Sequence, residues 1–268
     1  MKIGKATVPR TAICTSDEHT IVIRGRDLSK ELIGKIGFVE HFFLLLTGQL
    51  PTAGQATVLN ATLVAIAEHG LVPSVQAARM TFAAAPDALQ GAVASGILGC
   101  GSVVLGSSET AGRLFSEIDA RIGEGQRVED AALAAMQAWR DAGKTIPGYG
   151  HPLHKQRDDR VGALFHVARA AGTDLRFVAI AEAVEALLPQ LLGKELKLNV
   201  SGAIPAVLLG AGFPVAALKG VPILARTAGL IAHMFEEMQQ SIGFALSYQA
   251  TREMVYDGKL PAGFGERA

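Results

Sequence analysis

Apolar residues recur at helical spacing along most of this chain, and this periodicity limits its fold more than any other feature. In the first such segment the apolar positions repeat every three or four residues: Leu28, Leu32, Ile36, Val39, Phe42, Phe43 and Leu46. No run shows the sustained period-two alternation of half-buried strands. We therefore predict a nearly all-α fold, with a short β-like segment over residues 11–25.

The same pattern, read with glycine and proline as helix breakers, places the remaining helices. They are predicted at residues 54–68, 74–84, 87–105, 108–123, 128–142, 157–171, 175–192, 201–209 and 221–248. The segment Ala88–Ser108 carries no charge and is long enough to span a bilayer. Five glycines and several polar residues make it less apolar than a typical span, so we predict a buried helix instead.

Composition excludes several classes of partner. The chain has 268 residues, 49% of them hydrophobic, which is enough for a sizeable core in one or two domains. Lys plus Arg equals Asp plus Glu at 25 each, so no net field attracts nucleic acid or a membrane surface. Cys14 and Cys100 form no metal or redox spacing, and no signal peptide precedes them, so we predict a cytoplasmic protein.

The strongest candidate for a binding site is the turn Gly148-Tyr149-Gly150-His151. Glycine has no Cβ and tolerates positive φ, so such a turn lets the backbone approach a ligand closely. An imidazole titrates near neutrality and can bind an anion or move a proton. A second imidazole, His154, and Lys155 follow, with Arg160 a few residues further on, which favours a functional turn over a plain connection between helices.

Three other segments carry candidate residues. His69 comes just after a predicted helix, and Ser201 lies at a helix start, where it is available as a cap. Arg226 lies in an otherwise apolar helix, where a guanidinium must find an anion or a carboxylate. His233 is seven positions further along the same helix face, and we interpret it as a core histidine with polar partners.

Taken together and in this order, these motifs resemble the citrate synthase superfamily over nearly the whole chain. The resemblance includes Arg24-Gly25 and the segment Leu44–Thr52. It implies a citrate synthase-like helical fold, dimeric, in which a large and a small domain close on a cleft. Carried onto this chain, the large domain comprises residues 1–104 and 206–268, and the small domain comprises residues 105–205.

The resemblance also implies which residues bind ligands. His69, His151, Arg160 and Arg226 match the positions that hold a citrate-like acid, and guanidinium groups suit carboxylates because they bind them bidentately. Arg252 is the candidate for an arginine that reaches the site from a partner subunit. In the family the turn also lies against coenzyme A, which assigns Pro147, Gly148, Tyr149 and Gly150 to that ligand. Lys155 would add attraction for phosphates, and no metal is expected.

Two details are similar to the citryl-CoA lyase branch, which includes the lyase module of ATP-citrate lyase. Citrate synthases usually carry a histidine where this chain has Val104, and lyase modules commonly lack it. The chain also has the short motif Asn199-Val200-Ser201-Gly202, which is longer in synthases. In this motif Ser201 replaces the family's catalytic aspartate, and a serine hydroxyl is a poor base unless another base activates it.

Three functions remain open. A citryl-CoA lyase-type enzyme would cleave a citryl-type CoA thioester into an acyl-CoA and a 2-oxo acid such as oxaloacetate, with His151 as base, His69 orienting the developing carbonyl and Ser201 positioning a water. A catalytically impaired relative would bind citrate or CoA thioesters as a sensor. A citrate synthase-type acyltransferase would need a different base, and Glu109 and Glu195, the candidates, are more readily interpreted as surface carboxylates.

Overall fold

The computed structural model describes residues 8–101, 105–150 and 157–264. These residues are mainly helical, which confirms the predicted all-α class. The helices are α1 Phe38–Thr47, α2 Ala53–Ala67, α3 Pro73–Ala84, α4 Leu89–Leu98, α5 Ser107–Gly123, α6 Val128–Asp141, α7 Asp159–Ala170, α8 Arg176–Leu192, α9 Val200–Gly210, α10 Gly220–Gln239 and α11 Gly243–Glu253.

The predicted β-like segment forms a small antiparallel sheet before α1. Its strands are β1 Cys14–Ser16, β2 Ile21–Ile23 and β3 Arg26–Asp27, paired in chain order. Arg24 and Gly25 connect the last two strands with φ values of 49° and 81°. Positive φ at both loop residues matches the tight hairpin turn that right-twisted strands prefer. The sequence pattern did not predict β3, because it is only two residues long.

The described residues divide into two compact units. Unit 1 comprises Met1–Ala67 with Gly101–Ala225, and unit 2 comprises Glu68–Cys100 with Arg226–Ala268. Helix α10 begins in unit 1 and ends in unit 2. The domain boundaries at residues 104/105 and 205/206 stay a prediction.

Unit 1 is built around α9, which is buried along most of its length. Helix α5 packs closely against α9, because Gly112 of α5 has no side chain at the point of contact. A Cβ at Gly112 would lie 3.2 Å from the Pro205 Cβ and 2.3 Å from a Leu218 methyl group. Large apolar residues of α5, α6 and α8, including Phe115 and Met136, complete this core.

Unit 2 has a smaller core between α3, α4, α11 and the second half of α10. Val75, Phe82, Leu230 and Met234 are its large buried residues. Gly96 permits the close approach of α4, since a Cβ there would lie 2.8 Å from both the Leu230 side chain and the Ser74 carbonyl oxygen.

Three predicted helices were too long. The segment 28–46 is interrupted after a π-helical turn at Leu28–Leu32, because Gly34 has φ +72° and α1 begins only after Gly37. Helix α4 ends at Leu98 rather than at residue 105. The segment 221–248 breaks between α10 and α11, because the Glu237 carboxylate accepts the N–H groups of Ile242 and Gly243 and so starts a new helix.

One described stretch, Val215–Gln239, is long and apolar enough to cross a membrane by length and composition alone. It carries the buried charged residues Arg226 and Glu237. Its Leu230 and Met234 side chains are fully buried in the unit 2 core. These features are typical of a buried core helix, which passes the same test of length and composition as a membrane span.

Candidate functional site

In unit 1 the predicted glycine turn is tied to the start of α9 by backbone hydrogen bonds. The Gly150 N–H donates to the Lys197 carbonyl over 2.7 Å, and the Asn199 N–H donates to the Gly148 carbonyl over 3.0 Å. Gly148 and Gly150 have φ values of +88° and +79°. A Cβ at Gly148 would lie 2.7 Å from the Gly202 Cα, and a Cβ at Gly202 would lie 2.8 Å from the Gly148 carbonyl oxygen. Glycine is therefore required sterically at both position 148 and position 202.

Asn199, rather than Ser201, caps α9. Its side-chain oxygen accepts the Ser201 N–H over 2.9 Å, while its Nδ2 donates to the Gly150 carbonyl over 2.7 Å. The prediction of Ser201 as an available cap was therefore wrong, because the helix begins one residue earlier. Ser201 is half-buried in the first turn, next to the glycine turn.

Arg160 lies at the start of α7 and is already paired. Its Nε and NH2 groups donate to the two oxygens of Asp158 over 3.0 and 2.7 Å, and NH1 donates to the Ala65 carbonyl over 3.4 Å. Burial alone would raise the pKa of Asp158, but the hydrogen bonds from Arg160 and from the Val200 N–H outweigh it and lower the pKa. These bonds bring Arg160 near the helix start that carries Ser201.

The side chain of Tyr149 packs in the core and does not face a ligand site. It is buried, and its hydroxyl donates to the Ala181 carbonyl over 2.9 Å. Burial, together with the Glu185 carboxylate, raises its pKa well above the ordinary value. Any contact of Tyr149 with coenzyme A would therefore come from its main chain, as the family resemblance implies.

In unit 2 His69 is exposed on the loop between α2 and α3. The preceding residue, Glu68, accepts the His69 N–H over 2.8 Å and also accepts the Gly70 N–H. Glu68 reaches His233 as well, at 3.0 Å between Oε2 and Nε2. His233 is largely buried, and its Nδ1 lies 3.2 Å from Arg79 NH1, in agreement with its interpretation as a core histidine with polar partners. Its Nε2, however, makes no hydrogen bond of good geometry with the described residues.

Arg226 is the most unusual residue of the described set. It is 4% exposed, and its Nε and NH1 atoms are buried without a hydrogen-bond partner in the described residues. Ser74, whose hydroxyl is also buried and unpartnered there, lies beside the Cys100 thiol. Burial raises the pKa of Cys100, against the opposing effects of Ser74 and of the Arg226 charge.

Sequence reasoning missed Ser74, Cys100 and Glu68 as parts of these clusters. Only Glu68 had a visible signal, since it directly precedes the His69-Gly70 pair. The other two depend on the close packing of α4, which needs the fold. Among the described residues, no group of three or more His, Cys, Asp or Glu side chains could hold a metal ion.

The remaining predicted residues are placed as follows. Arg252 is exposed on α11, and its guanidinium lies 5.8 Å from the Tyr248 ring centre. Among the described residues it makes no recorded contact with His69 or Arg226. Pro147 lies next to Gly148 in the turn. His151, Lys155 and Val104 lie outside the described residues. The alternative bases occupy ion pairs: Glu109 with Arg113 at 2.7 Å, and the exposed Glu195 with Lys197 at 3.3 Å.

Comparison with known protein families gives a match over most of the chain. The family model described as "Citrate synthase, C-terminal domain" matches residues 54–243, well over half of the 268 residues. Among curated proteins, the citrate synthase of Haloferax volcanii is 26% identical over 206 residues, which are 75% of this chain and 52% of that protein. The chain therefore spans about half the length of that relative.

Solved structures are also similar. Citryl-CoA lyase from Hydrogenobacter thermophilus is 33% identical, with a TM-score of 0.82, over 95% of this chain and 96% of that chain. ATP citrate lyase from Methanothrix soehngenii, solved with citrate and coenzyme A, is 25% identical with a TM-score of 0.76. That match covers 99% of this chain and 44% of the longer lyase.

Proposed function

This chain belongs to the citrate synthase family, and on that premise we propose that it cleaves a citryl-type CoA thioester into an acyl-CoA and a 2-oxo acid such as oxaloacetate. The likeness to a citryl-CoA lyase of nearly equal length favours cleavage over condensation. The sequence favours it too, because Val104 stands where synthases usually carry a histidine.

The observation that carries the proposal is that Nε and NH1 of the buried Arg226 guanidinium have no hydrogen-bond partner among the described residues. A charge buried without a partner costs several kcal/mol, so the fold retains such a group where a ligand completes it. A carboxylate would accept the Nε and NH1 hydrogens, which have no described acceptor. We assign Arg226, with Arg160, to the carboxylates of the substrate.

The chemistry of cleavage then follows from the proposed residue roles. His151 removes the proton of the tertiary hydroxyl, and the oxygen electrons form the carbonyl of the 2-oxo acid while the adjacent carbon–carbon bond breaks. The released electron pair forms the enolate of the acyl-CoA, which takes a proton at carbon. His69 orients the developing carbonyl. The turn residues Pro147–Gly150, with Lys155, contact the coenzyme A portion.

Ser201 makes the last step the weak one. The family's aspartate would deliver the proton directly, whereas Ser201 positions a water that does so. General acid–base catalysis typically contributes about 10²- to 10⁴-fold in rate, so we expect slow turnover. Cleavage tolerates the change better than condensation, because water protonates an enolate more readily than it deprotonates a thioester.

A second candidate function is a citrate or CoA-thioester sensor, and the same Ser201 favours it. Loss of the proton-transfer group with retention of the buried Arg226 is the pattern expected of a protein that binds without turnover. The two functions share a ligand and differ only in chemistry, so one pair of measurements separates them.

The experiment follows oxaloacetate release from citryl-CoA with malate dehydrogenase and NADH, and measures citrate binding by calorimetry. Turnover supports the lyase, whereas saturable binding without turnover supports the sensor. Arg226→Met, which keeps the stem and removes the charge, should weaken citrate binding about 10²- to 10³-fold. Unchanged affinity, with a native circular dichroism spectrum, would contradict the assignment of Arg226.

We also propose that the protein is a homodimer joined through one face of unit 2. Ile231, Phe235 and Met238 recur at helical spacing on α10 and are 49–63% exposed, and α11 adds Phe244 and Tyr248. Exposed apolar side chains that recur along one face of a helix are typical of protein–protein interfaces. A second copy is the partner that the family resemblance favours. The cytoplasmic location stays a prediction.

A further inference from the structure

The carboxylate of Glu68 joins the loop that carries His69 to the second half of α10. Its Oε1 accepts the backbone N–H groups of His69 and Gly70, while its Oε2 lies 3.0 Å from Nε2 of His233. Gly70 has φ +71°, so the chain turns sharply directly after His69. One side chain thus sets the backbone direction on both sides of the His69 α-carbon.

The protonation of His233 is set from its other side. Arg79 NH1 lies 3.2 Å from Nδ1 of His233, and arginine can only donate hydrogen bonds. Nδ1 is therefore the acceptor, and the neutral imidazole carries its proton on Nε2, which faces Glu68. The contact with Glu68 is close, although its angle is not that of a hydrogen bond.

Arg79 is itself anchored in the core of unit 2. Its Nε donates to Glu237 over 2.6 Å, both side chains being at most 3% exposed, and its NH1 donates to Glu236. Glu237 also accepts the hydroxyl of Ser241. The buried pair fixes Arg79, Arg79 fixes the His233 tautomer, and His233 faces the Glu68 carboxylate.

From this chain of contacts we infer that Glu68 is a positioning residue for His69, with His233 as its support. The inference rests on the proposed function, in which His69 orients the developing carbonyl. Burial alone would raise the pKa of Glu68, but its contacts with His233 and with the His69 and Gly70 N–H groups outweigh burial and lower the pKa. The carboxylate is therefore present at neutral pH.

The charge of Glu68 matters, not only its shape. A carboxylate accepts hydrogen bonds on both oxygens, so it can hold the loop and face a donor at once. In Glu68→Gln one of the two ends becomes an NH2 group, which then meets either the loop N–H groups or the Nε2–H of His233. Either arrangement sets donor against donor, so the variant loses either the bonds from residue 68 to the loop or the contact that ties residue 68 to His233.

The test compares Glu68→Gln with Glu182→Gln in unit 1, since Glu182 also has a 45% exposed side chain beside a basic group. Misplacement of a catalytic group by about 1 Å can cost roughly 10²-fold, so we expect Glu68→Gln to lower kcat/KM about 10- to 100-fold. Glu182→Gln should match the wild type. His233→Gln, which keeps a side-chain N–H donor, should retain more activity than His233→Leu.

A ligand-free readout separates this inference from the proposed function. The imidazole proton signals of His69, assigned by their loss in His69→Asn, should shift in Glu68→Gln while the melting temperature stays close to that of the wild type. Shifted signals support the inference even if citryl-CoA is not cleaved. Unshifted signals, or an active wild type whose kcat/KM is unchanged in Glu68→Gln, would overturn it.

Discussion

Replacing Glu237 by glutamine should destabilise the protein far more than the same change at its neighbour Glu236. Both carboxylates contact Arg79, so the two variants remove the same charge from the same cation. They differ in burial, because the Glu237 side chain is 1% exposed and the Glu236 side chain is 58% exposed.

The magnitude follows from what each carboxylate satisfies. Glu237 receives Arg79 on one oxygen, and on the other it receives the Ser241 hydroxyl and the N–H groups of Ile242 and Gly243. Breaking a buried pair costs about 3–5 kcal/mol, and the only described carboxylate that Arg79 then keeps is the exposed Glu236. An exposed pair such as that of Glu236 is worth roughly 0–1 kcal/mol.

Urea denaturation followed by circular dichroism measures both free energies of unfolding. We expect a loss of about 3 kcal/mol or more in Glu237→Gln and under about 1 kcal/mol in Glu236→Gln. Equal losses would refute the reasoning, because they would mean that burial does not decide the strength of these pairs.

The pH dependence supplies a second check on the same residue. Burial opposes ionisation of Glu237, yet the bonds from Gly243, Ser241 and Arg79 lower its pKa. A lowered carboxyl pKa contributes stability above the unfolded value of about 4.3, and this contribution is lost as the pH falls through the folded value. The free energy of unfolding should thus fall below about pH 4 in the wild type, and less steeply in Glu237→Gln.

Three further outcomes are expected. Ser201→Asp should raise citryl-CoA turnover about 10²-fold or more in the coupled assay, and an inert but folded variant would remove the assignment of that position. Gly148→Ala should lower the free energy of unfolding by about 1–3 kcal/mol, because φ is +88° and the new Cβ meets Gly202. The control Gly162→Ala, at an open position of α7, should leave the stability unchanged or raise it in the same thermal unfolding experiment. Phe235→Glu should convert a dimer to a monomer in analytical ultracentrifugation, and an unchanged mass would contradict the proposed interface.

Most helices could be predicted because their boundaries depend on local chemistry. The predictions for α5, α6 and α8 agree with the structure to within one residue at each end. The failures occurred where a distant or backbone-directed contact ends a helix. No periodicity shows that the Glu237 carboxylate will start α11, since this needs Arg79 from another helix to keep it charged and in place.

The candidate site divides in the same way. The need for glycine at positions 148 and 150 could be predicted, because glycine is the residue that tolerates positive φ. The need of a guanidinium in an apolar helix for an anionic partner could also be predicted. The Asp158 fork on Arg160 was not predicted, although the two residues are only two positions apart. The contacts of Ser74 and Glu68 could not be predicted either, because they depend on how α3, α4 and α10 pack.

The two arginines assigned to the substrate carboxylates are in opposite electrostatic states. Arg160 is neutralised by a bidentate contact with Asp158, so a carboxylate that approaches it is also repelled by the aspartate. Arg226 is buried, and no acceptor among the described residues competes with an anion for its Nε and NH1 groups. Most of the binding free energy for a carboxylate should therefore come from Arg226. Arg160, whose partner Asp158 also accepts the Val200 N–H at the start of α9, would contribute orientation close to Ser201.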